Sequence, residues 1–215
     1  LFAKKHIDGH APGIRGKEVQ AYRLAGVEND HECSTAEEVL DKLRAGLHIY
    51  VREGSGAKNL ETLIKTMLDA GVCLDRCAFC TDDKHVEEIR KEGHISTCIR
   101  KAIALGVPVA KAYKMGSYQA AEFYGLKNYG AIGAGYRADI VFLDDLEQVR
   151  PLDVMKDGRI LTEEDYAKDY SVPVPDELLH TVHVGEVTKE KIRLSCDGKT
   201  DVIQMNPHQI VTTHL

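Results

Sequence analysis

The sequence predicts an α/β fold, with parallel strands joined by helices and a smaller β module after them. Three observations predict it. Short β-like runs alternate with amphipathic helical stretches over residues 1–127. Polar clusters fall at the C-terminal ends of all four runs. Past residue 128 the texture changes to glycine-rich turns and apolar strands. Alternation of the first kind implies parallel strands with right-handed crossovers. In such folds ligands collect at the C-terminal ends of the strands.

The first strand is short, over residues 6–8, and ends in Gly9-His10-Ala11-Pro12-Gly13. A helix follows over residues 17–24 and closes at Gly26. The second run, 27–32, ends in Asp30-His31-Glu32. Ser34 or Thr35 can cap the next helix, which carries Glu37 and Glu38 in its first turn. That helix, residues 36–44, puts Val39, Leu40 and Leu43 on one face and stops at Gly46. The third run, 47–51, is the clearest strand and leads into Arg52-Glu53-Gly54-Ser55-Gly56. A helix over 57–70 has Leu60, Leu63, Ile64, Met67 and Leu68 at three- and four-residue spacing. The fourth run, 72–80, ends in Thr81-Asp82-Asp83. Helices are expected at 86–92, 97–105 and 117–123.

Residues 128–165 form the β module. Residues 130–136 are glycine-rich, 138–143 read as an apolar strand, and 154–161 as a hairpin with Asp157-Gly158 at its turn. The glycines lead into a strand rather than from a strand into a helix, so they read as turns and not as a phosphate loop. Residues 166–215 read as a linker with Pro173 and Pro175, then the start of a β-containing C-terminal domain.

Composition narrows the function. The chain has 215 residues with 28 Lys and Arg against 34 Asp and Glu, a net charge of −6. An acidic balance disfavours nucleic acid and suits a small-molecule partner. The longest apolar stretch is about nine residues, whereas a membrane span needs about 20. The N-terminus has no apolar leader, and six cysteines in such a chain read as cytoplasmic thiols. The first residue is Leu1, which suggests processing or a piece of a longer protein.

Three strand ends offer metal-ligand groups: His10, His31 and Asp82. Imidazole with carboxylate suits Zn, Mn or Fe. A divalent cation lowers the pKa of bound water, and an adjacent carboxylate can carry the proton. Asp82 is the candidate for that role, with Asp83 beside it; Asp82 can also be read as a helix cap. Glu53 can hydrogen-bond a heterocycle N–H edge or pair with Arg52. Glu32, His85 and His94 read as solvated or capping residues. A rival pattern is Cys73-x3-Cys77-x2-Cys80, the spacing of a radical-SAM iron–sulfur site. Its alternative is three thiols in or beside a buried strand.

The motifs at residues 7–13, 29–35, 51–55 and 79–83 resemble the successive strand-end motifs of the adenine deaminases of the amidohydrolase superfamily. Residues 130–141 resemble the small β domain that follows the barrel there. The resemblance implies a TIM-like barrel, here its strands five to eight, followed by a β-sandwich-type module. It implies hydrolytic deamination of adenine to hypoxanthine and ammonia, with manganese or iron as the metal. By motif, His10 and His31 would be metal ligands. Asp82 would be ligand and proton shuttle, and Glu53 and Asp83 would lie near the purine. Another amidohydrolase acting on a cyclic amide or amidine is a second reading. The family's H-x-H pair and bridging acid are not among these residues. The expectation is a stretch inactive alone, or active only with a complementary chain, with a homo-oligomer or a complementing chain as its protein partner.

Overall fold

A computed structural model describes residues 5–169 and 171–215. The first half contains α1 (Lys17–Leu24), β1 (Asn29–Asp30), α2 (Ala36–Arg44), β2 (His48–Arg52) and α3 (Leu60–Asp69). A 3-10 turn at Leu74–Arg76 leads into β3 (Cys77–Cys80). Four helices follow: α4 (Val86–Glu92), α5 (Ile95–Ala104), α6 (Val109–Met115) and α7 (Tyr118–Phe123). The three strands form a parallel sheet in the order β1-β2-β3, with Asn29 opposite His48 and Ile49 opposite Cys77.

Strand side chains alternate between faces. Ile49, Val51, Cys77 and Phe79 enter the main core. There they meet Val39 of α2, Leu63, Ile64 and Met67 of α3, and Ile99 and Ala102 of α5. These helices are amphipathic and end where glycine takes a left-handed conformation, as at Gly46 (φ 80°) after α2. Thr35 caps α2 by accepting the Glu38 amide at 3.3 Å.

Tyr50 and Ala78 project from the opposite face and pack on Phe123 of α7, with Cys80 and Ala120 beside them. The Phe123 ring lies 4.3 Å from that of His48 and 4.9 Å from that of His6. His48 opens β2. Helix α7 therefore floors the inner face at the N-terminal end of the sheet, leaving the C-terminal strand ends free.

Several elements differ from expectation: the second run is strand only at Asn29–Asp30, α6 was not expected, and the first and fourth runs change in kind. Residues 6–8 do not form a ladder strand. The segment lies alongside β1, and Glu28 donates its amide to the Ile7 carbonyl at 3.2 Å. Beyond that, side chains replace the ladder: Gly9 donates to Asn29 Oδ1 at 2.7 Å, and Ala11 to Asp30 Oδ1 at 2.9 Å. The fourth run begins as the 3-10 turn, so only its last four residues are strand.

The β module is a single antiparallel sheet, β4 (Ile140–Asp145), β5 (Arg150–Lys156) and β6 (Arg159–Ile160). The expected turn is present: Asp157 (φ 51°) and Gly158 (φ 78°) connect Lys156 to its partner Arg159. The module docks on the helical layer. Val149 and Leu143 reach the main core, and Tyr113 of α6 donates its hydroxyl to the Leu146 carbonyl at 2.8 Å. Among its described residues the tail carries three short helices, α8 (Glu163–Ala167), α9 (Asp176–Leu179) and α10 (Lys189–Ile192). It ends in a hairpin of β7 (Ile203–Met205) and β8 (Thr212–His214). Among the described residues no helix is long and apolar enough to cross a membrane.

Candidate active site

The face occupied by Tyr50 and Ala78 continues upward to the strand ends. A cleft of about 390 Å³ runs along it, lined by Asn29, His31, Tyr50, Cys80, Asp82 and Tyr124 among others. The parity follows from the strands: Asn29 and His31 lie two apart, as do Tyr50 and Arg52, and Cys80 and Asp82.

At the mouth, His10, His31 and Glu32 each offer a ligand atom, all within 4.8 Å of one another. The two imidazoles meet edge to face, with centroids 5.5 Å apart. Glu32 Oε1 lies 3.5 Å from His10 Nδ1 and 3.3 Å from His31 Nε2. The Glu32 side chain is only 2% exposed, and its Oε2 is buried with no hydrogen-bond partner among the described residues. Reading Glu32 as a solvated or capping residue is thus corrected: it sits at the centre of the group. His85 and His94 precede α4 and α5, but neither side chain makes a capping hydrogen bond, and His94 Nε2 instead lies 2.7 Å from Thr81 Oγ1.

A buried ion pair holds this group from below. Asp30 and Lys42, both 0% exposed, lie 2.8 Å apart. Lys42 Nζ also donates to the Ala11 carbonyl at 2.6 Å. Asp30 accepts the amides of Ala11 at 2.9 Å and Glu32 at 3.3 Å. One carboxylate thus fastens the loop carrying His10 to the loop carrying His31 and Glu32. The Cys33 thiol donates to the same carboxylate at 3.4 Å. Burial pushes that thiol well above the ordinary range, so it stays protonated.

Asp82 lies outside the trio but is joined to it. Arg52 Nη1 bonds both Glu32 Oε1 and Asp82 Oδ2, the latter at 2.6 Å. Arg52 Nη2 lies 3.1 Å from Asp83 Oδ1. Glu53, which the sequence leaves open between a purine contact and a pair with Arg52, makes no pair with Arg52 among the described residues and is not among the residues lining the cleft that holds His31 and Asp82. Glu53 turns to the helical side and pairs with Lys101 of α5 at 2.6 Å, lining a different cleft. Asp83 accepts the Gly56 amide at 2.7 Å and so anchors the loop after β2. Burial opposes its charge, but the Gly56 amide and Arg52 outweigh burial and hold its carboxyl below the usual range. The α4 helix is entered through His85, so Asp82 does not cap it. Asp82 instead takes a left-handed backbone, φ 46°, an uncommon conformation for a residue with a side chain.

The rival cysteine reading is corrected. Cys77 is buried against Met67 at 3.6 Å, Cys80 lies on the opposite face of β3, and Cys73 is exposed with its thiol 3.0 Å from Asp75. Burial pushes the Cys77 thiol up to about 12. Three thiols in such different settings do not share a cluster.

The donor chemistry of the mouth fits a divalent cation. Two imidazoles and a carboxylate converge, and a buried carboxylate oxygen is left over.

The chain is similar to known proteins over its whole length. The chain is 40% identical over 216 residues to an adenine deaminase of Desulfitobacterium hafniense strain Y51, covering 100% of this chain and 38% of that protein. It is 42% identical over 200 residues to an adenine deaminase of Clostridium acetobutylicum, covering 92% of this chain and 34% of the relative. The chain thus spans less than two fifths of the length of these curated relatives. A beta-aspartyl dipeptidase from Fervidobacterium islandicum AW-1 shares the fold, with a TM-score of 0.55 at 19% identity, over 76% of this chain and 49% of that one. Residues 2–161 match the amidohydrolase family along the whole α/β region and the β module, and the chain belongs to that family.

Proposed function

We propose that this chain supplies the His10–His31–Glu32 and Asp82 portion of an adenine deaminase, a partial (β/α) barrel with its following β module. The reaction is adenine plus water to hypoxanthine plus ammonia. The observation that carries it is the convergence of His10, His31 and Glu32 at the strand ends, with Asp82 reached through the same guanidinium. Support for the purine comes from relatives at about 40% identity that bear the name adenine deaminase.

His10, His31 and Glu32 would hold the divalent cation, manganese or iron by family resemblance and zinc by donor type, with Asp82 beside them. A bound divalent cation makes water acidic enough to act as a nucleophile near neutral pH. Asp82 takes the proton from the attacking water and gives it to the departing exocyclic nitrogen, so one carboxylate serves both halves of the reaction. The water oxygen forms its bond at purine C6, the C–N bond breaks, and nitrogen leaves as ammonia. The Asp82 carboxylate is partly exposed, which leaves it free to meet the substrate. Asp30 and Lys42 keep the ligand-bearing loops in register.

The test is ammonia release from adenine with added Mn²⁺. It is run on the 215-residue chain alone and mixed with the part of the D. hafniense relative that this chain does not cover. Activity is expected in the mixture, falling at least about 100-fold in Asp82→Asn, the range of a lost general acid–base group. Equal activity with Asp82→Asn would remove Asp82 from the mechanism.

A further inference from the structure

Resting on the reading just given, we propose that Arg52 is the positioning residue that couples the His10–His31–Glu32 centre to Asp82. Arg52 ends β2, the middle strand, between the loop bearing Glu32 and the loop bearing Asp82. Its side chain is 6% exposed, so packing rather than solvent sets its direction. One nitrogen, Nη1, is shared by Glu32 Oε1 and Asp82 Oδ2, and Nη2 reaches Asp83 Oδ1.

Two consequences follow. Carboxylates from neighbouring strands repel each other, and a shared guanidinium turns that repulsion into a fixed spacing. Among the described residues Arg52 is also the ion-pair partner of the Asp82 carboxylate, whose backbone is in a left-handed conformation. Without Arg52, Asp82 has no tether toward the imidazoles. A lysine at this position keeps the charge but loses the planar fork that reaches three carboxylates at once. Charge and placement are therefore separable by substitution.

The experiment measures the Mn²⁺ dissociation constant of the 215-residue chain by titration calorimetry, with circular dichroism as a check on folding. The set is the wild type, Arg52→Lys, Arg52→Gln, Asp82→Asn, the Arg52→Lys/Asp82→Asn double variant and the His10→Ala/His31→Ala double variant. Both Arg52 variants are expected to weaken Mn²⁺ binding about 10–100-fold, the range for residues that orient metal ligands. Asp82→Asn alone is expected to weaken Mn²⁺ binding too, because a carboxylate beside the cation is lost, and adding it to Arg52→Lys is expected to cost little more, because Asp82 is already unplaced. Wild-type affinity in Arg52→Lys shows that charge alone suffices and overturns the proposal. So does tighter binding in Arg52→Gln, which would make Arg52 a competitor of the cation. So do independent, multiplying effects of Arg52→Lys and Asp82→Asn. In these cases the metal reading survives. Binding that is unchanged in the His10→Ala/His31→Ala variant overturns the metal reading and the proposal together. If Arg52→Gln fails to fold, Arg52→Lys carries the test.

Discussion

At the residue scale, the Asp30–Lys42 pair governs how well the site can be built. A charged pair with no exposure is costly to desolvate and is offset only by a full set of bonds. Here Asp30 accepts from Lys42, Ala11, Glu32 and Cys33. Lys42→Met leaves that carboxylate buried without its cation. A loss of about 3–5 kcal/mol is expected, read from urea unfolding; a loss below about 1 kcal/mol would mean the pair does not hold the loops. The same scale shows where the sequence was legible. His31 directly follows β1, and His10 ends a segment lying alongside β1, so the order of the two motifs points to their proximity although the first is not a strand. Arg52 and Glu53 are adjacent, and only parity separates them: Arg52 shares the cleft face with Tyr50, and Glu53 the helical face with Val51. The apolar run 47–51 hides that parity, because both faces of the strand are buried. Glu32 breaks the alternation, since the chain bends after β1, and no spacing rule marks it.

At the element scale, the segment before His10 depends on a close approach that only glycine permits. A Cβ on Gly9 would lie 2.0 Å from the Asn29 carbonyl oxygen and 2.9 Å from Val27 Cγ1. Gly9→Ala must push the segment off β1 and carry His10 away from His31. We expect a destabilisation of about 1–3 kcal/mol, with Mn²⁺ affinity at least about tenfold lower. Unchanged affinity in a folded Gly9→Ala chain would show that His10 is placed by its own loop. The sequence predicted an element here but not its kind. Hydrogen bonds from Gly9 and Ala11 go to the Asn29 and Asp30 side chains, and side-chain partners of this sort leave no periodic trace. The helices were easier to read. Residues 60, 63, 64 and 67 repeat at helical spacing, and all four are buried. Helix α6 was obscured because it follows α5 within one long apolar stretch, broken only by Gly106 and Pro108.

At the scale of the whole molecule, the sheet has two working ends. The C-terminal strand ends carry the candidate site, and the opposite end is closed by α7 through an aromatic cluster. His48 belongs to that floor, packed on Phe123 and facing Arg76, Arg23, His6 and Glu28. Burial, with the Arg76 guanidinium adding to it and Glu28 opposing, lowers the His48 imidazole to about 4 from its ordinary value near 6.5. The sign follows from proton uptake. Between about pH 6.5 and 4 the unfolded chain binds a proton at His48 that the folded chain refuses, so stability falls as the solution is acidified through that window. Above about pH 6.5 both states are neutral there, and the contribution is fully present. His48→Gln removes the titrating group but keeps a polar side chain of similar size. The urea midpoint is therefore expected to drop more between pH 7.5 and 4.5 in the wild type than in His48→Gln. Parallel losses in the two proteins would place the acid sensitivity elsewhere. A larger wild-type loss would show that the floor, at the far end of the strands from His10 and His31, carries part of the fold's acid sensitivity.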